Sequence, residues 1–133
     1  MNKVLEMRGI YKAFPGVVAV NKVDLELYGG EVLALVGENG AGKSTLIKIL
    51  SGMYKADEGE ISIGGKSYKS FDTKEAIELG IAVIYQELNY LNDLSIAENI
   101  LLGQVPVSGP LKRVSYPKMY AEARRIMDQV GLE

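Results

Sequence analysis

Residues 37–45 combine glycines, a lysine and hydroxyl side chains at a spacing that suits phosphate binding. Gly42, Lys43 and Ser44, with Gly37 five positions earlier, fit the pattern G-x-x-x-x-G-K-[ST], in which backbone N–H groups surround phosphate oxygens. Lys43 is placed to act on the β- and γ-phosphates, and the Ser44 hydroxyl is placed to ligate Mg²⁺. The candidate nucleotide-binding residues of this segment are Gly37, Glu38, Asn39, Gly40, Ala41, Gly42, Lys43, Ser44 and Thr45.

The flanking residues favour this interpretation over a simple glycine-rich turn. Residues 32–36 are continuously apolar and predict a strand buried on both faces. Residues 45–50 predict a helix that ends at Ser51 and Gly52. Strand, loop and helix then follow in the order that a phosphate-binding loop requires.

Composition excludes several classes of function. The 133 residues predict one domain, and a hydrophobic fraction of 47% is enough for a packed core. Cysteine and histidine are absent, which excludes disulfides, thiolate zinc sites and Ser–His triads. A net charge of −2 gives no basic field for nucleic acid. No apolar run approaches the ~18 residues of a membrane span, so we expect a soluble, intracellular chain.

The N-terminal half alternates strand and turn signals. Residues 4–11 predict a first strand, and residues 13–16 predict a turn. Residues 17–20 form a short apolar run, and residues 23–28 alternate like a strand with one wet face, so antiparallel sheet is expected before the strand at 32–36. Gly64 and Gly65 predict a tight hairpin. Residues 81–85 predict a second apolar strand, and Gln86 follows at the carboxyl end, where ligands bind in α/β sheets.

The sequence signals in the C-terminal half predict helices. Asp72, like Ser95, has a glutamate three residues later, which indicates a capping box at a helix start. A loop is expected over residues 103–115, and a last helix from Ser115 or Tyr116. Its predicted apolar face consists of Met119, Ala123, Ile126, Met127 and Val130.

These residues together resemble the ATP-binding subunits of ABC transporters. Residues 37–45, an aromatic Phe14 on a turn before an antiparallel strand, and Gln86 after a strand carry the resemblance. The stretches 13–17, 37–40, 86–89 and 94–100 resemble the ribose/galactose-type sugar importers most closely. The resemblance covers the whole chain, and it implies the N-terminal part of the first of two cassettes.

The resemblance implies roles that the residues alone leave open. Phe14 would stack on adenine, although Phe14 could be core and Tyr11 is a competing ring. Gln86 would contact Mg²⁺ and the attacking water, and would act with Lys43 in catalysis, although it could be an ordinary polar strand end. Residues 86–100 would face transmembrane permease subunits. A second cassette, and indirectly a periplasmic sugar-binding protein, would be further partners, at the cytoplasmic face of the plasma membrane.

The sequence also lacks parts of the family pattern. A signature motif close to Leu-Ser-Gly-Gly-Gln, a Walker B element and a switch histidine are absent. We therefore expect an α/β chain that is a truncated ABC nucleotide-binding domain. Residues 1–86 would form a partial P-loop NTPase core with an antiparallel β lead-in, and residues 87–133 the start of the helical subdomain. Alone, this chain is expected to bind nucleotide at most, without ATPase turnover.

Three alternatives remain at this stage. The cassette could serve another solute, such as an amino acid or a lipid. The chain could be a small P-loop kinase or GTPase, but the antiparallel lead-in disfavours this, as does Gln86 where a GTPase needs Asp-x-x-Gly. It could also be a nucleotide-binding or dimerisation piece without enzymatic turnover.

Overall fold

The computed structural model describes residues 2–40, 42–85, 90–109 and 113–132. The chain divides into two compact units, Met1–Ile84 and Tyr85–Glu133. The first unit contains an antiparallel sheet and two helices, and the second contains two helices and a short hairpin.

The described residues of the first unit form a four-stranded antiparallel sheet in the order β2-β1-β3-β4. Pro15 and Gly16 make the turn between the first two strands, as the sequence predicts. The strands are β1 Lys3–Phe14, β2 Val17–Tyr28, β3 Glu58–Ile63 and β4 Lys66–Tyr68. The predicted hairpin at Gly64 and Gly65 is confirmed, because both residues have positive φ (57° and 82°) between β3 and β4, as a two-residue primed turn requires.

Strand β2 is one element with a bulge. The pairing moves from Ile10↔Val23 to Lys12↔Val20, so β2 carries one residue more than β1 over this interval. Lys22 adopts a positive φ of 48° there. A bulge increases local twist and explains why the apolar pattern shows two short runs where the structure has a single strand.

One face of the sheet is buried beneath two helices. Helix α1 spans Lys43–Leu50 and helix α2 spans Thr73–Glu78. Leu5 and Met7 point to the core, while Glu6 between them pairs with Lys3 and Arg8 on the outer face, as strand geometry requires. The buried core residues are Leu5, Met7, Ile10, Val20, Leu46, Ile49, Ile61, Phe71 and Ala76.

Two predicted strands are wrong. Residues 32–36 are irregular and exposed in the structure, with Val32 97% and Val36 89% exposed. Residues 81–85 are also irregular, and Ile84 is fully exposed. A strand exists only where a neighbour completes its hydrogen-bond ladder, and the described part of the chain pairs no strand with either segment. Apolar sequence is therefore not sufficient here.

The second unit is built around two helices that pack together. Helix α3 spans Ile96–Ile100 and helix α4 spans Tyr116–Gln129. Their small core consists of Ala97, Leu101, Met119 and Ala123. Val130 lies beyond α4 and is exposed, so its predicted place on the buried face is wrong. The predicted loop over residues 103–115 contains a short hairpin of β5 Val107–Ser108 and β6 Arg113–Val114.

Replacing a core side chain in the sheet is expected to lower stability strongly. Ile61 is 2% exposed, so Ile61→Ala leaves a cavity and should cost about 2–5 kcal/mol of unfolding free energy. The same change at Ile77, which is 65% exposed, should cost less than about 1 kcal/mol. Urea denaturation of both variants checks this, and equal losses would contradict the described core.

Candidate nucleotide-binding site

The N-terminus of α1 differs from those of the other short helices. Asp72 caps α2 and Ser95 caps α3, each in a complete capping box with a glutamate in the first turn. Helix α1 begins after Gly42, without a side-chain cap and without an acidic residue in its first turn. Its first N–H groups and the positive end of its dipole therefore stay available for an anion.

Gly42 places this helix end directly against strand β2. Its φ is 86°, and a Cβ added there would collide with the carbonyl oxygen of Ala19. A side chain at this position would therefore need both a left-handed backbone and a separation of α1 from β2. Only glycine allows the loop to enter the helix at this point, so the glycine of the motif also serves packing.

The Lys43 ammonium lies within its own loop. Its Nζ donates to the carbonyl oxygen of Gly37 at 2.6 Å and to that of Glu38 at 2.7 Å. Both acceptors lie at the start of the loop, so the lysine closes the segment into a ring. An ammonium that donates to neutral carbonyls gains from exchanging them for phosphate oxygens, because charge-assisted hydrogen bonds are stronger.

The rest of the loop is open to solvent. Residues 37–40 are exposed, the Ser44 residue is exposed and Thr45 is half-buried. Ser44 follows Lys43 in the first turn of α1, as the motif requires for a metal-binding hydroxyl. Ala41 lies outside the described residues.

Phe14 lies at the end of the hairpin that contacts the loop. It is the last residue of β1 and pairs with Val17, two residues before Ala19 on β2. The half-buried ring meets Tyr54 edge-on, with centroids 5.4 Å apart and planes at 67°. The Lys12 ammonium lies 5.5 Å from the ring centroid. The structure therefore brings Phe14 and the phosphate-binding loop to the same end of β2.

A carboxylate holds this end of the hairpin. Asp57 accepts from Lys12 Nζ at 2.7 Å and from the Ala13 backbone N–H at 2.9 Å. The backbone N–H of Asp57 donates to the Tyr11 carbonyl at 2.9 Å. The hydrogen bond from Lys12, followed by that from Ala13, holds the pKa of Asp57 below its ordinary value.

Two predicted residues have different outcomes in the structure. Tyr11 lies within β1 opposite Glu58 of β3, three residues before Phe14 at the end of the same strand. Gln86, together with residues 87–89, lies outside the described residues, so its predicted role stays a prediction. Sequence reasoning missed Tyr54 and Asp57, because neither belongs to a motif and only the fold brings them to Phe14.

The loop residues fit a nucleoside triphosphate with Mg²⁺. An uncapped helix end, an ammonium and a cradle that a Cβ at Gly42 would disrupt are the features that hold phosphate oxygens. The described residues contain no group of three or more acidic side chains that could hold a metal by themselves. A Mg²⁺ ion bound through one hydroxyl and phosphate oxygens needs no such group.

The fold and the loop together define a P-loop nucleotide-binding domain. The family model described as ABC transporter matches residues 20–133, and the chain therefore belongs to the ABC transporter family. This result confirms the resemblance seen in the sequence.

Several similar proteins are described as sugar import proteins. The galactose/methyl galactoside import ATP-binding protein MglA 1 of Photobacterium profundum is 49% identical over 99% of this chain and 27% of the relative. The ribose import ATP-binding protein RbsA of Clostridium perfringens (strain 13 / Type A) is 48% identical over 98% of the chain and 26% of the relative. The xylose import ATP-binding protein XylG of Moorella thermoacetica is 49% identical, also over 98% and 26%. The chain spans about a quarter of the length of these relatives.

Solved structures give the same fold. A nucleotide-free ATP-binding cassette from an ABC transporter matches with a TM-score of 0.78 and 28% identity, over 95% of this chain and 53% of that one. A cassette in its ADP conformation matches with a TM-score of 0.77 and 28% identity, over 96% and 54%. The chain thus has the fold of about half of an ATP-binding cassette.

Substitution of Gly42 is expected to cost more stability than substitution of Gly40. Both residues have a φ of 86°, but a Cβ at Gly40 meets open space. Gly40→Ala should cost about 1–2 kcal/mol from backbone strain. Gly42→Ala should cost at least about 1 kcal/mol more, because the new Cβ collides with Ala19. Thermal and urea unfolding measure the difference, and indistinguishable variants would refute the close approach.

The hairpin end is expected to lose stability in acid through Asp57. The pKa of Asp57 is lowered in the folded state. The ionised carboxylate therefore stabilises the folded state fully above its unfolded pKa of about 3.9, and this stabilisation is lost as pH falls through the folded-state pKa. Asp57→Asn should be less stable than the parent at pH 7, and the gap should shrink below about pH 4.

Unfolding free energies measured between pH 2.5 and 7 check this pH dependence. Asp93→Asn, at an exposed position, is the control and should show no such gap. If the difference in unfolding free energy between Asp57→Asn and the parent stays constant with pH, the result would argue against the Lys12–Asp57 contact.

Proposed function

We propose that this protein is the ATP-binding subunit of an ABC importer for a small sugar. The observation that carries the proposal is the uncapped start of α1, with Lys43 closing the loop in front of it. The descriptions of the curated relatives, which name galactose, ribose and xylose import, support the choice of solute class. Hydrolysis of ATP would power the import.

The chain's own residues would bind and orient the nucleotide. Backbone N–H groups at the start of α1 would donate to the phosphates, and Lys43 would turn from the Gly37 and Glu38 carbonyls toward the β- and γ-phosphates. Phe14 would stack on adenine, which contributes about 1–3 kcal/mol in comparable base–ring contacts. Together these groups would fix both ends of the nucleotide relative to α1.

Mg²⁺ would be held by the Ser44 hydroxyl and by Gln86. When bound, the ion supplies positive charge that offsets the charge developing on the transferred phosphoryl group. We assign to Gln86 the additional role of contacting the attacking water, which rests on the family resemblance of residues 86–89. Positioning and charge stabilisation account for most of the catalysis in phosphoryl transfer.

The proposed partners are membrane permease subunits and a second cassette. Residues 86–100 would form the surface that faces the permease, and a periplasmic sugar-binding protein would act indirectly. No helix within the described ranges has the length and apolarity to span a bilayer. From the import functions named for the relatives, we propose that the protein lies peripherally at the cytoplasmic face of the plasma membrane, held there by its permease.

Loss of the loop ammonium is expected to weaken nucleotide binding. Lys43→Ala removes one charge-assisted donor, worth about 1.5–3 kcal/mol, so the Kd for ATP with Mg²⁺ should rise by at least about tenfold. Lys74→Ala on α2 is the matched control, because that side chain is 85% exposed and lies 4.0 Å from its Glu78 partner. Its ATP affinity should equal that of the parent. Isothermal titration calorimetry measures both.

The same two variants test transport. In cells that depend on the intact importer, Lys43→Ala should abolish uptake of radiolabelled ribose, galactose or xylose, and Lys74→Ala should leave it unchanged. A Kd for ATP in Lys43→Ala equal to that of the parent would overturn the assigned site. Uptake of an amino acid or lipid instead of a sugar would keep the site and overturn the solute class.

A further inference from the structure

We propose that Tyr54 is a positioning residue for the nucleotide base. It holds the Phe14 ring in the orientation that stacks on adenine and ties that ring to the helix that holds the phosphates. The inference rests on the proposed function, because it requires Phe14 to be the base platform.

The contact with Phe14 restricts the orientation of its ring. The two ring centroids are 5.4 Å apart at 67°, within the favourable range for edge-to-face aromatic pairs. Phe14 lies at a strand end, beside the exposed turn of Pro15 and Gly16. A side chain in such a place loses rotamer entropy when it stacks on a ligand, and a ring that is already held loses less.

Tyr54 is itself attached to the phosphate-binding helix. Its backbone N–H donates to the Lys48 carbonyl oxygen at 3.0 Å, and the Lys48 ammonium lies 5.4 Å from its ring centroid. Lys48 belongs to α1, the helix that begins with Lys43. Tyr54 therefore joins the candidate base platform to the candidate phosphate site through two contacts.

The segment that carries Tyr54 also holds the other neighbour of Phe14. Asp57, three residues later, binds Lys12, whose ammonium lies 5.5 Å from the Phe14 centroid. The Asp57 backbone donates to Tyr11, so this segment is fixed to β1 at its far end. The Phe14 ring thus has a tyrosine and an ammonium as neighbours, both positioned by residues 54–57.

The test separates affinity for the base from affinity for the phosphates. Kd values for ATP and for inorganic triphosphate, each with Mg²⁺, are measured by calorimetry on the purified intact protein. In Tyr54→Leu the affinity for ATP should fall by about three- to tenfold, and the affinity for inorganic triphosphate should stay unchanged. Tyr54→Phe keeps the ring and should bind both ligands as the parent does.

Tyr68 provides a matched control. It meets Phe71 edge-on with centroids 5.9 Å apart at 83°, and the Lys66 ammonium lies 5.4 Å from its ring. Its surroundings resemble those of Tyr54, but its aromatic partner is a core residue. Tyr68→Leu should lower the melting temperature and leave the ratio of the two Kd values unchanged.

Phe14→Ala distinguishes failure of the inference from failure of the proposed function. If Phe14→Ala loses the preference for ATP over triphosphate and Tyr54→Leu keeps it, the positioning role is overturned and the base platform stands. If Tyr54→Leu lowers the affinities for ATP and for inorganic triphosphate by the same factor, the positioning role is also overturned. A parent protein without any preference for ATP over triphosphate would overturn the base platform itself. If the double variant Phe14→Ala/Tyr54→Leu binds ATP as tightly as Phe14→Ala alone, the result supports coupling between the two residues.

Discussion

The approach of Gly42 to the Ala19 carbonyl is the contact on which the candidate site depends. It brings the start of α1 against β2 at a separation that no side chain permits. Because β2 forms a hairpin with β1, the same contact sets the loop beside the strand end that carries Phe14. One backbone contact thereby relates a helix terminus to an aromatic ring.

Charge is distributed among the helices in a way that agrees with this arrangement. Glu75 and Glu98 neutralise the positive ends of α2 and α3, and each completes a capping box. Helix α1 has neither a side-chain cap nor an acidic residue in its first turn. The ammonium of Lys43 donates to the carbonyls of Gly37 and Glu38. The unmet donors and the positive dipole coincide at one point of the first unit, which favours an anion there.

Residues 52–57 link α1 to the end of β1. Tyr54 receives support from Lys48, and Asp57 supports Lys12 and Ala13. A surface ion pair by itself contributes little to stability. Backbone hydrogen bonds from Tyr54 to Lys48 and from Asp57 to Tyr11 also fix this segment, which we call the brace, to α1 and to β1. The brace gives a physical reason why a base platform outside the loop could keep a constant relation to the phosphates.

Features determined by neighbours within a few residues were predictable from the sequence. The helix that follows the phosphate-binding pattern, the capping boxes at Asp72 and Ser95, and the hairpin at Gly64 depend on such local geometry, and these local structures appear as expected. Partners that lie far along the chain were decided only by tertiary structure. The sequence could not show that Tyr54 meets Phe14, that β2 contains a bulge, or that residues 32–36 lack a hydrogen-bonded neighbour. Apolar patterning states which side chains avoid water, whereas a strand or a ring contact also requires a second segment at the right distance.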